Sequence, residues 1–155
     1  MHAYRIDGLA PDAFAPLFAL DDEALRAHGV RRVVADSPRG YPCRVSLSEA
    51  AAGETLLLLT FEHHRDGPYR ASGPIFVRER GERAPTLRNR LPELLRSRRL
   101  SLRVYDADGW LLQARVCEGE QGEAAVEEIL ADPRAARIDA HNAAYGCFLC
   151  RIERD

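Results

Sequence analysis

The sequence predicts an α+β fold: one domain over residues 1–155, with a mostly antiparallel sheet and two or three short helices packed on one face. Three observations predict it. The chain has 155 residues, 46% of them hydrophobic, which suits one core and would be cramped for two. Strand-like runs recur along it, joined by tight turns, the clearest being Asp106-Ala107-Asp108-Gly109 between two apolar segments. Helical periodicity is scarce, so crossovers are too few for a doubly wound parallel sheet.

The elements follow in order. Tyr4-Arg5-Ile6 reads as a short strand, and Ala10 to Ala19 as a proline-bearing loop or helical turn. Leu20-Asp21-Asp22-Glu23 offers an acidic N-cap to a helix through Leu25 that Gly29 ends. Val33 to Asp36 is a short extended piece before the turn Ser37-Pro38-Arg39-Gly40. From Tyr41 to Leu47, apolar Tyr41, Cys43, Val45 and Leu47 alternate with Pro42, Arg44 and Ser46, the pattern of a half-buried strand. Thr55 to His64 is the longest strand, closed by Asp66-Gly67-Pro68, and Gly73-Pro74 introduces another at Ile75 to Arg78. Arg80 to Thr86 is an exposed loop, and Pro92 opens a short helix through Arg99. Leu100 to Tyr105 and Trp110 to Cys117 form the hairpin. Val126, Ile129 and Leu130 mark a helix over Glu123 to Ala131 that Asp132-Pro133 stops, and Glu118 to Glu128 supplies an acidic, solvated face. Arg137 to Ala140 and Tyr145 to Glu153 are the last strands.

Composition excludes several chemistries. All 22 basic residues are arginine. With no lysine there is no side-chain Schiff base, no internal PLP aldimine and no P-loop lysine. Twenty-four acids leave a formal charge of −2, so bulk attraction to nucleic acid or to an anionic membrane is not expected. Asp7, Asp12, Pro11 and Pro16 interrupt any apolar leader, and Leu56 to Leu59 with Phe61 is too short to span a bilayer. Four cysteines without an export signal point to reduced thiols, hence to a soluble, cytoplasmic protein.

Four segments, read together, resemble an uncharacterised, mainly bacterial family, the domain of unknown function numbered 1203. They are Tyr41-Pro42-Cys43-Arg44-Val45-Ser46-Leu47, the run Pro68-Tyr69-Arg70-Ala71-Ser72-Gly73-Pro74-Ile75-Phe76-Val77-Arg78, Leu102-Arg103-Val104-Tyr105-Asp106, and His141-Asn142-Ala143-Ala144-Tyr145-Gly146-Cys147-Phe148. The resemblance covers most of the chain from Tyr41 to Arg154 and implies a single domain of bacterial origin. It implies no activity, cofactor or catalytic residue.

Function must therefore be sought in the residues. Cys147-Phe148-Leu149-Cys150 is a C-x-x-C, but on an extended strand Phe148, Cys150 and Ile152 share one face and Cys147, Leu149 and Arg151 the other. The two sulfurs then point apart, and the pair gains interest only if Gly146 to Cys150 is a turn. A dispersed zinc site would draw on Cys43, Cys147, His63, His64 and His141. Against it, Cys43 is in phase with apolar residues, and consecutive His63 and His64 cannot face the same side of a regular strand. No metal and no cofactor is expected. A thiol triad would join Cys147 to His141 and Asn142, with a loop over Asn142 to Gly146 folding the imidazole back onto the sulfur. Arg44, Arg103 and Tyr105, with His64, Arg70 and Ser72, fall on polar strand phases or in adjoining turns, where guanidinium forks suit carboxylate or phosphate.

Together these give a first expectation: a small-molecule binder or enzyme with an anion-accepting pocket at one sheet edge. His141 and Cys147 would be its reactive groups, and Arg44, His64, Tyr69, Arg70, Arg103 and Tyr105 would bind the small anionic ligand. The rival readings are a non-catalytic protein-interaction module and a zinc-binding protein. Whether the chain is an enzyme is left open by its sequence.

Overall fold

Eleven strands and four short helices make up the computed structural model, which describes residues 1–155. The strands are β1 (Tyr4–Asp7), β2 (Arg31–Val34), β3 (Pro42–Cys43), β4 (Ser48–Glu49), β5 (Thr55–His64), β6 (Ala71–Arg78), β7 (Leu87–Arg88), β8 (Arg99–Tyr105), β9 (Leu111–Glu118), β10 (Arg137–Asn142) and β11 (Phe148–Arg154). The helices are α1 (Ala15–Phe18), α2 (Asp22–Ala27), α3 (Glu93–Arg96) and α4 (Gly122–Leu130). The α+β class and the antiparallel pairing stand as read from the sequence. The strands, however, divide between two sheets, ordered β7-β1-β11-β10-β8-β9 and β2-β5-β6-β3-β4. Only the single β3–β6 contact, Cys43 to Phe76, is parallel.

Each sheet has its own core. In the larger one, Ile6, Leu102, Val104, Ile138, Ala140 and Ile152 alternate inward and meet Leu95 of α3 and Val126, Ile129 and Leu130 of α4. In the smaller one, Leu57, Leu59, Ile75 and Val77 pack with Leu25 of α2 and Phe14. The Asp21 side chain accepts from Ala24 N at 2.8 Å, the N-cap that the acidic run announces. The hairpin turn is closed by Asp106, whose Oδ1 takes the amides of Asp108 and Trp110, and by Gly109 at φ +83°.

One expected strand is missing. Of Tyr41 to Leu47 only Pro42 and Cys43 pair, and the chain then turns through Arg44 to Leu47, where Leu47 adopts φ +51°. The turn is held by the Cys43 sulfur, which accepts from Ser46 N and Arg78 N at 3.5 and 3.3 Å. Burial is therefore not alternate: Pro42, Cys43, Arg44 and Val45 are all buried. Arg44, expected on a polar strand phase, sits inside the protein.

Two bulges decide what faces the gap between the sheets. On β5 the register passes from Glu62 opposite Ser72 to His64 opposite Ala71, so His63 is an inserted residue. On β11 it passes from Cys150 opposite Ala140 to Phe148 opposite His141, so Leu149 is inserted. A bulge breaks the two-residue period and re-aims the side chains beside it. The expected shared face of Phe148 and Cys150 is accordingly not formed. Phe148 packs on Phe61, His63 and His141, whereas Cys150 belongs to the larger core.

Candidate functional site

The larger sheet turns its helix-free face toward the end of β5, and polar residues occupy that face. Arg137, Asp139 and His141 alternate on β10 with the apolar Ile138 and Ala140. Arg103 stands opposite Asp139 on β8, and Arg151 opposite it on β11. Asp139 and His141 are fully buried, and His63 and His64 are nearly so. Burial of a charge is tolerable only with partners. Arg151 supplies them to Asp139, donating from Nε at 2.8 Å and Nη2 at 3.2 Å, and Nη2 also reaches the His63 carbonyl of the other sheet.

The histidines here are kept neutral. Burial lowers the pKa of His141 to about 4, opposed by the Gly146 carbonyl. That carbonyl lies 3.0 Å from Nδ1, and since it only accepts, Nδ1 carries the proton and the buried Nε2 is bare and unpartnered. His63 stacks on Phe148 with ring centroids 5.2 Å apart and meets His141 edge-on at 4.8 Å. Burial lowers its pKa, and neither of its ring nitrogens has a partner. His64 is lowered by burial and then by the neighbouring Arg137.

Arg44 is the most unusual residue of the molecule. It is 3% exposed, yet no carboxylate pairs with it. Its Nε donates to the Phe148 carbonyl at 2.8 Å and its Nη1 to the Pro42 carbonyl at 2.5 Å. The remaining terminal nitrogen makes no protein hydrogen bond and is not sealed from the adjoining cavity. Desolvation lowers the Arg44 pKa to about 10, so the group is still charged at neutral pH. Arg44 stands in the wall between two cavities. One, of about 410 Å³, is lined by Leu58, Phe76 and Leu149 together with Arg98 and Cys147. The other, of about 250 Å³, holds His63, Phe148 and Arg151. Arg98 is already paired, with Glu49 and the Leu94 carbonyl.

The single pocket expected for eight residues is therefore not formed; they divide. Arg44 and Cys147 share the larger of those two cavities. His64, Tyr69 and Tyr105 cluster elsewhere, His64 with Tyr105 at 4.6 Å and Tyr69 with Tyr105 at 6.2 Å. Arg103 lies on the buried polar face, close enough to depress His63 and His141. Arg70 is exposed and bound to Glu62 at 2.7 Å, outside all of these. The thiol triad is not assembled either. His141 Nδ1 is spent on Gly146, the Asn142 amide oxygen caps the turn through Ala144 N and Tyr145 N, and Cys147 Sγ approaches only the Tyr145 carbonyl, at 3.9 Å. A turn of the chain does precede Phe148, but it leaves Cys147 partly exposed while Cys150 is buried, its thiol pKa pushed up by desolvation. No three His, Cys, Asp or Glu side chains converge as a metal site.

Arg98, Arg137, Asp139 and Arg151 escaped the sequence reading. The polar phase of Arg137-Ile138-Asp139-Ala140-His141 is plain in the sequence; what it does not reveal is that a second sheet covers that phase.

Comparison with known proteins adds one finding. Residues 40–154 match the family described as Protein of unknown function (DUF1203). No curated protein and no solved structure matches the chain.

Proposed function

This chain belongs to the DUF1203 family of proteins of unknown function, and on that premise we propose that it binds a small carboxylic acid, or a monoanion of similar shape, in the cavity walled by Arg44 and Cys147. The observation that carries the reading is a guanidinium buried to 3% exposure with no carboxylate to neutralise it. Desolvating such a charge costs several kcal/mol unless a counter-charge accompanies it. Two backbone carbonyls hold the fork in place and leave one edge free, an arrangement suited to a planar carboxylate. Leu58, Phe76 and Leu149 supply walls for an apolar body, so the acid it suits is an aliphatic or aromatic one.

Cys147 provides the test, because it is the least buried of the four thiols and lies in the same cavity. Iodoacetate is itself a small carboxylate: the thiolate sulfur attacks its methylene carbon and iodide leaves. Iodoacetamide does the same chemistry without the charge. The expected result is that Cys147 prefers iodoacetate over iodoacetamide at least tenfold more than free cysteine does, with saturation, and that added carboxylates protect it. Arg44→Met should abolish the preference. A ratio equal to that of free cysteine, with no protection, would overturn the reading and leave a protein-binding role ahead.

A further inference from the structure

A second cluster lies where the end of β5 meets the Asp106–Gly109 turn, and we infer that it is a separate binding site for a phosphate monoester or a similar tetrahedral dianion. It does not depend on the Arg44 cavity. Three guanidiniums, of Arg103, Arg137 and Arg151, rise from one face of β8, β10 and β11 around the single buried carboxylate of Asp139. Glu153, opposite Arg137, is engaged by Arg5 at 3.3 Å. Asp139 is held by Arg151 and stands 4.0 Å from Arg137 Nε, too far for a hydrogen bond. Arg137 Nε is thus buried without an acceptor. Positive charge exceeds negative in this layer, and a donor inside it is unmet.

The neighbouring histidine adds a donor of fixed direction. Arg137 Nη2 lies 2.7 Å from His64 Nδ1. A guanidinium can only donate, so Nδ1 accepts and the His64 proton is on Nε2. Nε2 lies beside the hairpin turn, where a Cβ added at Gly109 would stand 3.4 Å from it, and the Asp66 backbone is the protein acceptor that an anion there would compete with. His64, Gly109, Arg137 and Arg151 line one cavity of about 450 Å³, with Arg65 beside them. The carboxylates that also line it are Glu62, which Arg70 binds, and the exposed Asp66 and Asp108. The donors come from two sheets, β5 of one and β10 and β11 of the other, so they reach an anion from more than one side, as the several oxygens of a phosphate require. Tyr105 lies under the Arg137 guanidinium, 4.9 Å from ring centroid to Cζ, and steadies it. Tyr69 and the exposed Trp110, centroids 5.9 Å apart, extend an aromatic shelf from it for the organic part of an ester.

Inorganic phosphate is the probe. Titrated at constant ionic strength and pH 7.5, it should raise the melting temperature saturably and shift the His64 Nε2–H resonance, while acetate should do neither. Arg137→Gln should weaken phosphate binding at least tenfold and leave the iodoacetate preference of Cys147 unchanged, which separates this site from the Arg44 cavity. If Arg137→Gln does not fold, the His64 resonance of the unaltered protein decides alone. A phosphate response no greater than that of chloride, an unmoved His64 resonance, or undiminished binding by a folded Arg137→Gln protein would each overturn the assignment.

Discussion

His141 shows how one side chain links burial to acid sensitivity. Its native pKa, about 4, lies below the ordinary 6.5. As the pH falls the unfolded chain therefore takes up its proton first. The contribution of His141 is whole above pH 6.5 and declines until the native value is reached, a loss of about 3 kcal/mol at 1.36 kcal/mol per unit. His63 and His64 are depressed in the same sense and add to the slope. Urea unfolding at pH 7, 6 and 5 should show this decline, and His141→Phe should flatten it, since the ring packs on Phe148 and His63 whichever chemistry it carries. At this scale the sequence was partly legible. It marked Arg44, His64, Tyr69, Arg70, Arg103, Tyr105, His141 and Cys147 as candidate site residues, but not which of them meet. Arg44 shows why: alternation placed it on a solvated phase, whereas the two sulfur-accepted amides around Cys43 fold the segment into a turn that buries it.

Elements were more legible than residues where capping and turn chemistry act locally. The helix begun by Asp21 and the hairpin ended by Gly109 both form where the sequence places them. Asp21→Ala should cost about 1 kcal/mol, measured by thermal or urea unfolding, because Ala24 N loses its acceptor. Gly119 is a case the sequence does not announce. A Cβ there would stand 2.6 Å from both the Arg96 and the Arg98 carbonyl oxygens. Gly119→Ala should therefore destabilise by about 3 kcal/mol in the same assay, as overpacking against backbone has no flexible group to yield. The short strands β4 and β7 went unread for the opposite reason. Two residues carry no period, and their pairing depends on partners far along the chain, as Leu87 does on Ile6.

At the scale of the molecule, the antiparallel α+β class was readable from turns and scarce helices, but the division into two sheets was not, because nothing local tells a strand which sheet it joins. Arg151 ties the two, binding Asp139 within its own sheet and the His63 carbonyl across the gap. Arg151→Met leaves the Asp139 carboxylate buried without that partner and should cost about 3 kcal/mol in urea unfolding. Adding Asp139→Leu should restore most of it, since the stranded charge is then gone. Finally, the extra residue in β5 has a consequence for how this protein can diverge. Because His63 and His64 belong to different neighbourhoods, one against Phe148 and the other against Tyr105, each can be exchanged without disturbing its companion. A descendant that lost a single codon there would regain strict alternation, and two adjacent imidazoles could then no longer both be housed between the sheets.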